Sequence, residues 1–292
     1  MYPWPINSKP IFGQFNITLY GICIAIGILA CFGVFFYYTK KRNISQRVQD
    51  FAFFTAVVSI AVGFLFAKLF QAVYNWIESG VFNFYSSGIT VMGGLIGGAG
   101  TFLLVYFIVG NFMFTGKEKG LHVKEFNKIF SVAPCCITIA HAFGRLGCLS
   151  AGCCHGKFLS TNYVFGGVFL QKKATINGTT FGVVSKSGYY VPTQLYEALF
   201  LFALFGVLTF LYFKRYNIIM HVYLIAYGVW RIFIEFFRHD HVGELFGILS
   251  PSQWQSIFFI LGGVALFLVY KYLKKPFVLP KDGEENSTKK KK

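Results

Sequence analysis

Long apolar runs separated by short polar links dominate the chain. Seven of these runs are each about 20 residues or longer, which is enough for a helix to cross a hydrocarbon core of about 30 Å. Backbone polar groups inside a bilayer must be hydrogen-bonded within the spanning element, so helices are the expected form. The pattern therefore predicts an all-α polytopic membrane protein with seven transmembrane helices. These helices are predicted at Ile17–Thr39, Phe51–Asn75, Gly88–Met113, Phe130–Ser150, Gln194–Phe213, Asn217–Phe237 and Ser252–Tyr272.

Basic residues occupy alternate links between the apolar runs. They follow the first, third, fifth and seventh runs, whereas the link 76–87 contains neither Lys nor Arg. Because lysine and arginine collect in cytoplasmic loops, this distribution predicts an N-out, C-in topology. The first run is too long for a cleavable signal, and its basic cluster Lys40–Arg42 lies after it. We therefore expect this run to remain as the first transmembrane helix.

The link between the fourth and fifth runs is longer than the others. Residues 151–192 contain β-branched and aromatic residues between turn glycines, as in Tyr163–Phe169 and Phe181–Val184. This composition predicts a small extramembrane cap of short strands on the outer side. We expect residues 1–275 to form one membrane domain that includes the cap. The tail 276–292 ends in a run of lysines and is expected to be disordered beside the anionic inner leaflet.

Composition and charge exclude two other classes of protein. Hydrophobic residues make up 55% of the chain and charged residues 13%, which is too apolar for a soluble globular protein. The net charge of +16 would suit a nucleic-acid-binding protein, but the basic residues are spread over the predicted inner loops. We therefore expect membrane lipids as partners and no nucleic acid.

A positive charge inside the fourth apolar run is the first sign of a functional site. Arg145 lies in the glycine-rich stretch Gly144–Gly156, and an arginine at such a depth is costly unless it contacts an anion. At about 1.5 Å per residue, Arg145 and Arg231 each lie roughly 21 to 22 Å from the inner ends of their runs. Other polar residues lie within about 6 Å of the outer boundary, so a polar site is predicted in the outer third of the membrane. These residues are Tyr20, Tyr196 and Glu197.

The sixth run gathers charged residues on one predicted helix face. Tyr227, Arg231, Glu235 and Arg238 follow the spacing i, i+4, i+8 and i+11. Three arginines on the fourth and sixth runs exceed the two nearby glutamates, and the planar arginine fork matches a phosphate group. One interpretation is a site for an anionic lipid head group, reached from the outer leaflet. The other is a structural network such as an Arg231–Glu235 pair, and the residues alone leave both open.

Five short motifs resemble those of the prolipoprotein diacylglyceryl transferase family, bacterial enzymes that attach lipid to lipoproteins. The stretch 144–156 is similar to the family signature, and Pro192–Glu197 is similar to the next family motif. The resemblance covers most of the predicted membrane core. The remaining motifs, in the order of the family, are Tyr20-Gly21, Arg231-x3-Glu235-x2-Arg238 and Gln253-Trp254.

The resemblance implies an enzyme that moves the diacylglyceryl group of phosphatidylglycerol onto a cysteine thiol. That thiol belongs to the lipobox of a prolipoprotein signal peptide, and the second product is glycerol 1-phosphate. The family implies the bacterial cytoplasmic (inner) membrane, a site facing the outer leaflet, no cofactor and no metal. Two alternatives remain open: a related transferase that uses the same lipid with another acceptor, and a non-enzymatic anionic-lipid binder or transporter.

The resemblance also implies the roles of individual residues. Arg145 and Arg231 match the arginine pair held to bind the lipid phosphate and to stabilise developing charge. Glu235 and Tyr20 are assigned with this pair to the catalytic group. The substrate-binding group is assigned as Arg145, Arg231, Arg238, Tyr227, Gly156, Gln194, Tyr196 and Glu197.

The chain departs from the family pattern in the residues expected to move a proton. Met92 replaces a histidine that is often proposed as the base, and a methionine cannot accept a proton. Another acceptor is then needed, or the thiol ionises in the positive field of the site. The candidate acceptors are His141, His155 and Glu235, and the other departures are Cys148, Cys153 and Val191. The chain is therefore expected to be a divergent member.

Cysteines gather at the end of the signature. Three of the seven in the chain, Cys148, Cys153 and Cys154, precede His155 near the predicted outer boundary. A disulfide from Cys148 to Cys153 or Cys154 is favoured because the outer side is oxidising. Free thiols and a metal site are the alternatives, although adjacent cysteines differ from the usual C-x2-C spacing.

Overall fold

The computed structural model describes residues 18–80, 82–84, 90–160, 167–170, 174–176, 179–181, 186–238 and 250–273. The predicted tail 276–292 lies outside the described residues. So do residues 163–166 and 182–184 of the predicted strands. The division into a membrane domain and a cytoplasmic tail therefore remains a prediction.

Helices form at each of the predicted apolar runs. A π-helical turn, Val105–Val109, continues directly from the third helix, and a 3-10 turn, Gly116–Glu118, precedes the fifth. The helices are α1 (Leu19–Lys41), α2 (Gln46–Ser79), α3 (Val91–Leu104), α4 (Gly110–Met113), α5 (Leu121–Ala151), α6 (Thr193–Phe213), α7 (Ile219–Glu235) and α8 (Pro251–Tyr272).

The helix lengths confirm an all-α polytopic membrane protein. Within the described residues, six helical segments are long and apolar enough to cross a membrane, one of them running from α3 through the π turn into α4. The remaining predicted span corresponds to α7, which has 17 residues and is therefore about 26 Å long. The count of seven spans and the N-out, C-in orientation stay predictions.

The end of α7 corrects one expectation about the charged face. Tyr227, Arg231 and Glu235 share the helix, but α7 ends at Glu235 and Arg238 follows in a turn. The backbone N–H of Arg238 donates to the carbonyl of Glu235 at 3.1 Å, and Lys157 donates to the carbonyl of Phe237 at 3.0 Å. The helical spacing predicted for Arg238 was wrong because this backbone pairing stops the helix first.

The chain forms two compact units, and residues 36–130 make up one of them. In this unit α2 and α3 pack closely at glycines: a Cβ atom placed on Gly63 would lie 2.9 Å from the carbonyl oxygen of Gly94. At the other end of α2, the N–H and hydroxyl of Ser45 both donate to Glu125 Oε2, at 3.0 and 2.9 Å. Small residues thus allow the helix contact that a larger side chain would block.

The second unit consists of the chain up to residue 35 and from residue 131 onward, and it contains most of the predicted site residues. Here α1 approaches α5 at Gly27, where an added Cβ would lie 3.0 Å from Phe143 Cβ. Helices α7 and α8 meet at Gly228, where an added Cβ would lie 2.9 Å from the carbonyl oxygen of Ser256. These close contacts fix the helices that carry the charged residues.

Short strands between α5 and α6 confirm the predicted strand pattern. An antiparallel sheet of order β1-β5-β2 and a separate antiparallel pair β3-β4 form there. Strand β5 leads directly into α6, so the sheet connects the end of one helix to the start of the next. The strands are β1 (Phe158–Ser160), β2 (Val168–Leu170), β3 (Ala174–Ile176), β4 (Thr179–Phe181) and β5 (Gly188–Tyr190).

Candidate active site

Two arginines from different helices meet on one buried carboxylate. Glu197, in the second turn of α6, is 2% exposed. Arg145 Nε of α5 lies 2.9 Å from Glu197 Oε2, and Arg231 Nη1 of α7 lies 3.7 Å from the same oxygen. The hydroxyl of Tyr227 donates to Glu197 Oε1 at 3.1 Å. A buried carboxylate is costly without partners, so these contacts explain how Glu197 stays in the interior.

A second carboxylate extends the charged cluster. Glu235, the last residue of α7, is 4% exposed. Its Oε2 lies 3.5 Å from Arg231 Nη2 and 3.9 Å from Arg238 Nε. Arg231 therefore contacts both carboxylates of the cluster. Three guanidinium groups against two carboxylates leave one positive charge in excess, which favours an anion carrying oxygen acceptors.

Ser250 also belongs to this cluster, although the sequence analysis did not predict it as a site residue. Its hydroxyl donates to Glu235 Oε1 at 3.1 Å and accepts the N–H of Gln253 at 3.3 Å, while Gln253 Oε1 accepts the N–H of Ser250 at 3.0 Å. The sequence Ser-Pro-x-Gln indicates a capped helix start. This motif does not predict the hydrogen bond from Ser250 to Glu235, because that hydrogen bond requires α7 to end beside the start of α8.

The loop after α5 is held by the first turn of α6. The side-chain N–H of Gln194 donates to the carbonyl of Cys153, and the hydroxyl of Thr193 donates to the carbonyl of Cys154 at 2.8 Å. Gln194 is 1% exposed. The structure thus places Gln194 on the loop backbone, and a direct contact of this residue with a substrate stays a prediction.

Gly156 lies where three backbone segments converge. Its N–H donates to the carbonyl of Val191 at 2.8 Å, and it forms an antiparallel bridge with Arg238. A Cβ atom at Gly156 would lie 2.5 Å from the carbonyl oxygen of Phe237 and 2.9 Å from Thr193 Cγ2. Any side chain there would displace the turn that carries Arg238.

The two predicted tyrosines with exposed rings lie at the edge of the cluster. Tyr20, near the start of α1, is 40% exposed, and its ring lies against α5 at Gly147. Tyr196, 38% exposed, lies with Phe200, Trp230 and other apolar residues in the wall of a groove of about 490 Å³ between α6 and α7. Tyr196 thus faces a surface suited to acyl chains.

Of the histidines considered as proton acceptors, only His141 lies within the cluster. Its Nε2 lies 3.8 Å from Glu197 Oε1, and its ring packs edge-on against Tyr227 with centroids 5.4 Å apart. His155 Nδ1 instead donates to the carbonyl of Gly156 at 2.9 Å, and its ring packs against Tyr190 at 4.5 Å. Both imidazoles are therefore engaged with neighbouring groups.

The cysteines of the signature form a second cluster beside the arginines. Cys148, Cys153 and Cys154 are free thiols, so the linkage expected for Cys148 is not formed. The Sγ atoms of Cys148, Cys153 and Cys154 nevertheless lie within 4.8 Å of one another. Hydrogen bonds from the other two thiols, with a further contribution from the charges of Arg145 and Arg238, lower the pKa of Cys154. The cluster therefore favours a thiolate at Cys154, whereas hydrogen bonds with the same neighbouring thiols raise the pKa of Cys153.

The chain is similar to one protein family over nearly its whole length. The model of the prolipoprotein diacylglyceryl transferase family matches residues 9–269. This range includes all the charged residues of the cluster and the three neighbouring cysteines.

Individual relatives align over a similar extent. Phosphatidylglycerol–prolipoprotein diacylglyceryl transferase 2 of Clostridium perfringens is 30% identical over 269 residues, covering 89% of this chain and 93% of that protein. The phosphatidylglycerol–prolipoprotein diacylglyceryl transferase of Clostridium tetani is 30% identical over 275 residues, covering 91% of this chain and 99% of that protein. The enzyme of that name from Halalkalibacterium halodurans is 28% identical over 270 residues, covering 87% of this chain and 83% of that protein.

Proposed function

The chain belongs to the prolipoprotein diacylglyceryl transferase family, and we propose that it transfers the diacylglyceryl group of phosphatidylglycerol to the lipobox cysteine thiol of prolipoproteins. Glycerol 1-phosphate is the second product in this proposal. The observation that supports the site most strongly is the meeting of Arg145 and Arg231 on Glu197. A phosphodiester anion that enters beside this carboxylate can reach both guanidinium groups.

The arginine pair suits a reaction in which a phosphate group leaves. Each guanidinium has five N–H donors, more than its contacts with the carboxylates use. The acceptor thiolate attacks the glyceryl carbon bonded to the phosphate oxygen, and that carbon–oxygen bond breaks. Negative charge grows on the departing phosphate, where the fixed charges of Arg145 and Arg231 stabilise it without reorganisation.

The other predicted residues are proposed to hold or to contact the lipid. Glu235 positions Arg231 and Arg238 through its two ion pairs, and Tyr227 positions Glu197 through its hydroxyl. The exposed tyrosine rings lie where lipid can reach them, and the groove beside α6 suits an acyl chain. The proposed substrate contacts are therefore Tyr20, Tyr196 and Arg238, and the proposed positioning residues are Gln194, Gly156, Glu197, Tyr227 and Glu235.

The place of the reaction follows from the substrates. The chain is a multi-pass membrane protein, and both phosphatidylglycerol and a signal peptide are presented within a bilayer. We propose the bacterial inner membrane as its location, with the site open to the outer leaflet. Phosphatidylglycerol and prolipoprotein signal peptides are the proposed partners, and nucleic acid has no part in the reaction.

A peptide-lipidation assay tests the proposed function. The purified chain is mixed with phosphatidylglycerol and a lipobox peptide, and the peptide is analysed by mass spectrometry. The expected product is a peptide carrying one diacylglyceryl group on its cysteine, with equimolar release of glycerol phosphate. A matched peptide with serine in place of the cysteine should remain unmodified. Release of glycerol phosphate without peptide modification would indicate another acceptor, and no release at all would indicate a lipid binder.

A further inference from the structure

The three-cysteine cluster is a built site that the proposed reaction has not yet used. Cys148 lies in the last turn of α5, and Cys153 and Cys154 lie in the turn that follows. Their sulfur atoms come within 4.8 Å of one another although the residues span a change in chain direction. Each residue is partly exposed, so an ion or a thiol can reach the cluster.

The backbone of the turn is shaped to direct two adjacent thiols to one place. Neighbouring side chains on an extended backbone point to opposite sides. Cys154 has a φ of 57° and Gly152 a φ of 70°, and the left-handed conformation is unfavourable for a cysteine. Thr193 and Gln194 bind the carbonyl groups of Cys154 and Cys153 and so hold this conformation. Such maintained strain is typical of functional sites.

The three cysteines could supply three of the four ligands of a tetrahedral zinc site, which leaves one coordination position open. Thiolates are soft ligands that suit Zn²⁺. At a Zn–S distance of about 2.3 Å, tetrahedral geometry places the sulfur atoms about 3.8 Å apart, a small contraction from their present spread. Among the described residues, the cluster includes no fourth cysteine, histidine or carboxylate. Three protein ligands with an open position are characteristic of catalytic zinc rather than structural zinc.

The surroundings of the cluster are those of the proposed active site. Cys148 lies one turn after Arg145 on α5, and Gly156, two residues after Cys154, forms a backbone bridge with Arg238. The ring of Tyr20 packs against α5 at Gly147, next to Cys148. Three thiolates with one Zn²⁺ carry a single negative charge, which these arginines can balance. His155 donates to the carbonyl of Gly156, whereas His141 and Glu235 lie among the ion pairs of the arginine cluster. A metal ion held by the cysteines would give the acceptor thiol a separate means of losing its proton.

We propose that Cys148, Cys153 and Cys154 bind one Zn²⁺ and that the fourth position of this ion takes the acceptor thiol of the prolipoprotein. The binding of zinc by the three cysteines does not depend on the proposed function, whereas the role of the fourth ligand rests on it. Coordination activates the thiol beside the arginines that hold the lipid phosphate.

The proposed step balances without another reactant. The acceptor thiol gives its proton to water when its sulfur binds Zn²⁺, because a coordinated thiol is deprotonated. The sulfur then donates an electron pair to the glyceryl carbon, and the bond from that carbon to the phosphate oxygen breaks. The products are a thioether and a glycerol phosphate dianion. The zinc ion changes neither charge nor oxidation state.

Metal analysis of the purified full chain tests the site independently of activity. We expect one zinc per chain after purification without chelator, and loss of that zinc in Cys148→Ser, Cys153→Ser and Cys154→Ser. Cys31→Ser, which changes a thiol on α1 outside the cluster, should retain it. If the serine variants do not insert, thiol alkylation of the unmodified chain gives the answer: the three cysteines should react only after a chelator removes the metal. Equal reactivity with and without chelator, or a disulfide within the cluster, would overturn the proposal.

Cobalt substitution tests the fourth position. Co²⁺ bound in place of zinc should show sulfur-to-cobalt charge-transfer absorption, and a lipobox peptide should increase it by adding a fourth thiolate. The serine-containing peptide should leave the spectrum unchanged. If neither peptide changes the charge-transfer absorption of the cobalt-loaded chain, the acceptor thiol does not bind the metal and the proposed activation is wrong. If the proposed function fails instead, the zinc content and its loss in the three variants would still be observed.

Discussion

At the scale of single residues, Glu197 explains how two arginines are held within a membrane protein. Its buried carboxylate is within 3.7 Å of both Arg145 and Arg231, and replacing it would leave two buried positive charges without their shared partner. The sequence predicted that these charges converge in depth, and helical spacing offered an Arg231–Glu235 pair as one of two interpretations. It could not predict that Glu197 lies between the arginines, because spacing along a helix does not determine which helices are lateral neighbours.

Arg145→Lys separates the geometry of the guanidinium from its charge. A lysine keeps the positive charge but has no planar fork, so it cannot hold a carboxylate and a phosphate together in the same way. We expect the turnover in the lipidation assay to fall by about 10²-fold or more, as for the loss of one transition-state donor. Arg47→Lys is the matched control, since Arg47 is exposed and paired with Glu118 in the other unit. Near-normal turnover of the Arg145 variant would show that only charge is required.

At the scale of helices and loops, helix ends determine the site more than helix faces do. Glu235 is the last residue of α7, Ser250 caps α8, and the loop after α5 is held by the first turn of α6. The apolar runs predicted the existence of these helices because run length is read directly from the sequence. They did not predict the end of α7, since that end depends on backbone pairing of Phe237 with Lys157, which is distant in sequence.

Ser250→Ala tests whether the cap of α8 also serves the site. The hydroxyl of Ser250 is shared between the α8 cap and Glu235, so its removal should reduce stability by about 1 kcal/mol and also loosen Glu235 beside Arg231. Gln253→Ala removes the other half of the capping box but leaves the Ser250–Glu235 hydrogen bond. We therefore expect a similar loss of thermal stability in both variants and a larger loss of turnover in Ser250→Ala. Equal turnover in the two variants would contradict a role for Ser250 beyond capping.

At the scale of the whole molecule, the contacts among the ends of α5, α6, α7 and α8 bear on whether α7 crosses the membrane, which hydropathy alone did not decide. Gly156, which follows α5, forms an antiparallel backbone bridge with Arg238, which follows α7. This bridge holds the ends of the two helices close together. Its N–H also reaches Val191 before α6, and Glu235 meets Ser250 at the start of α8. The ends of α5 and α7 and the starts of α6 and α8 therefore lie at one level. This arrangement supports a crossing by α7 despite its 17 residues.

Reporter insertions test this alternation. If α7 crosses the bilayer and the predicted N-out, C-in orientation holds, alkaline phosphatase inserted at residue 187 or 244 should be active, because both positions lie outside. Insertion at residue 215, or fusion at residue 292, should give an inactive reporter, because basic residues surround both cytoplasmic positions. Activity at 187 with none at 244 would mean that α7 does not cross. Such a result would also remove Arg231 and Arg238 from the level of Arg145, and it would contradict a lipid phosphate held by residues of both helices.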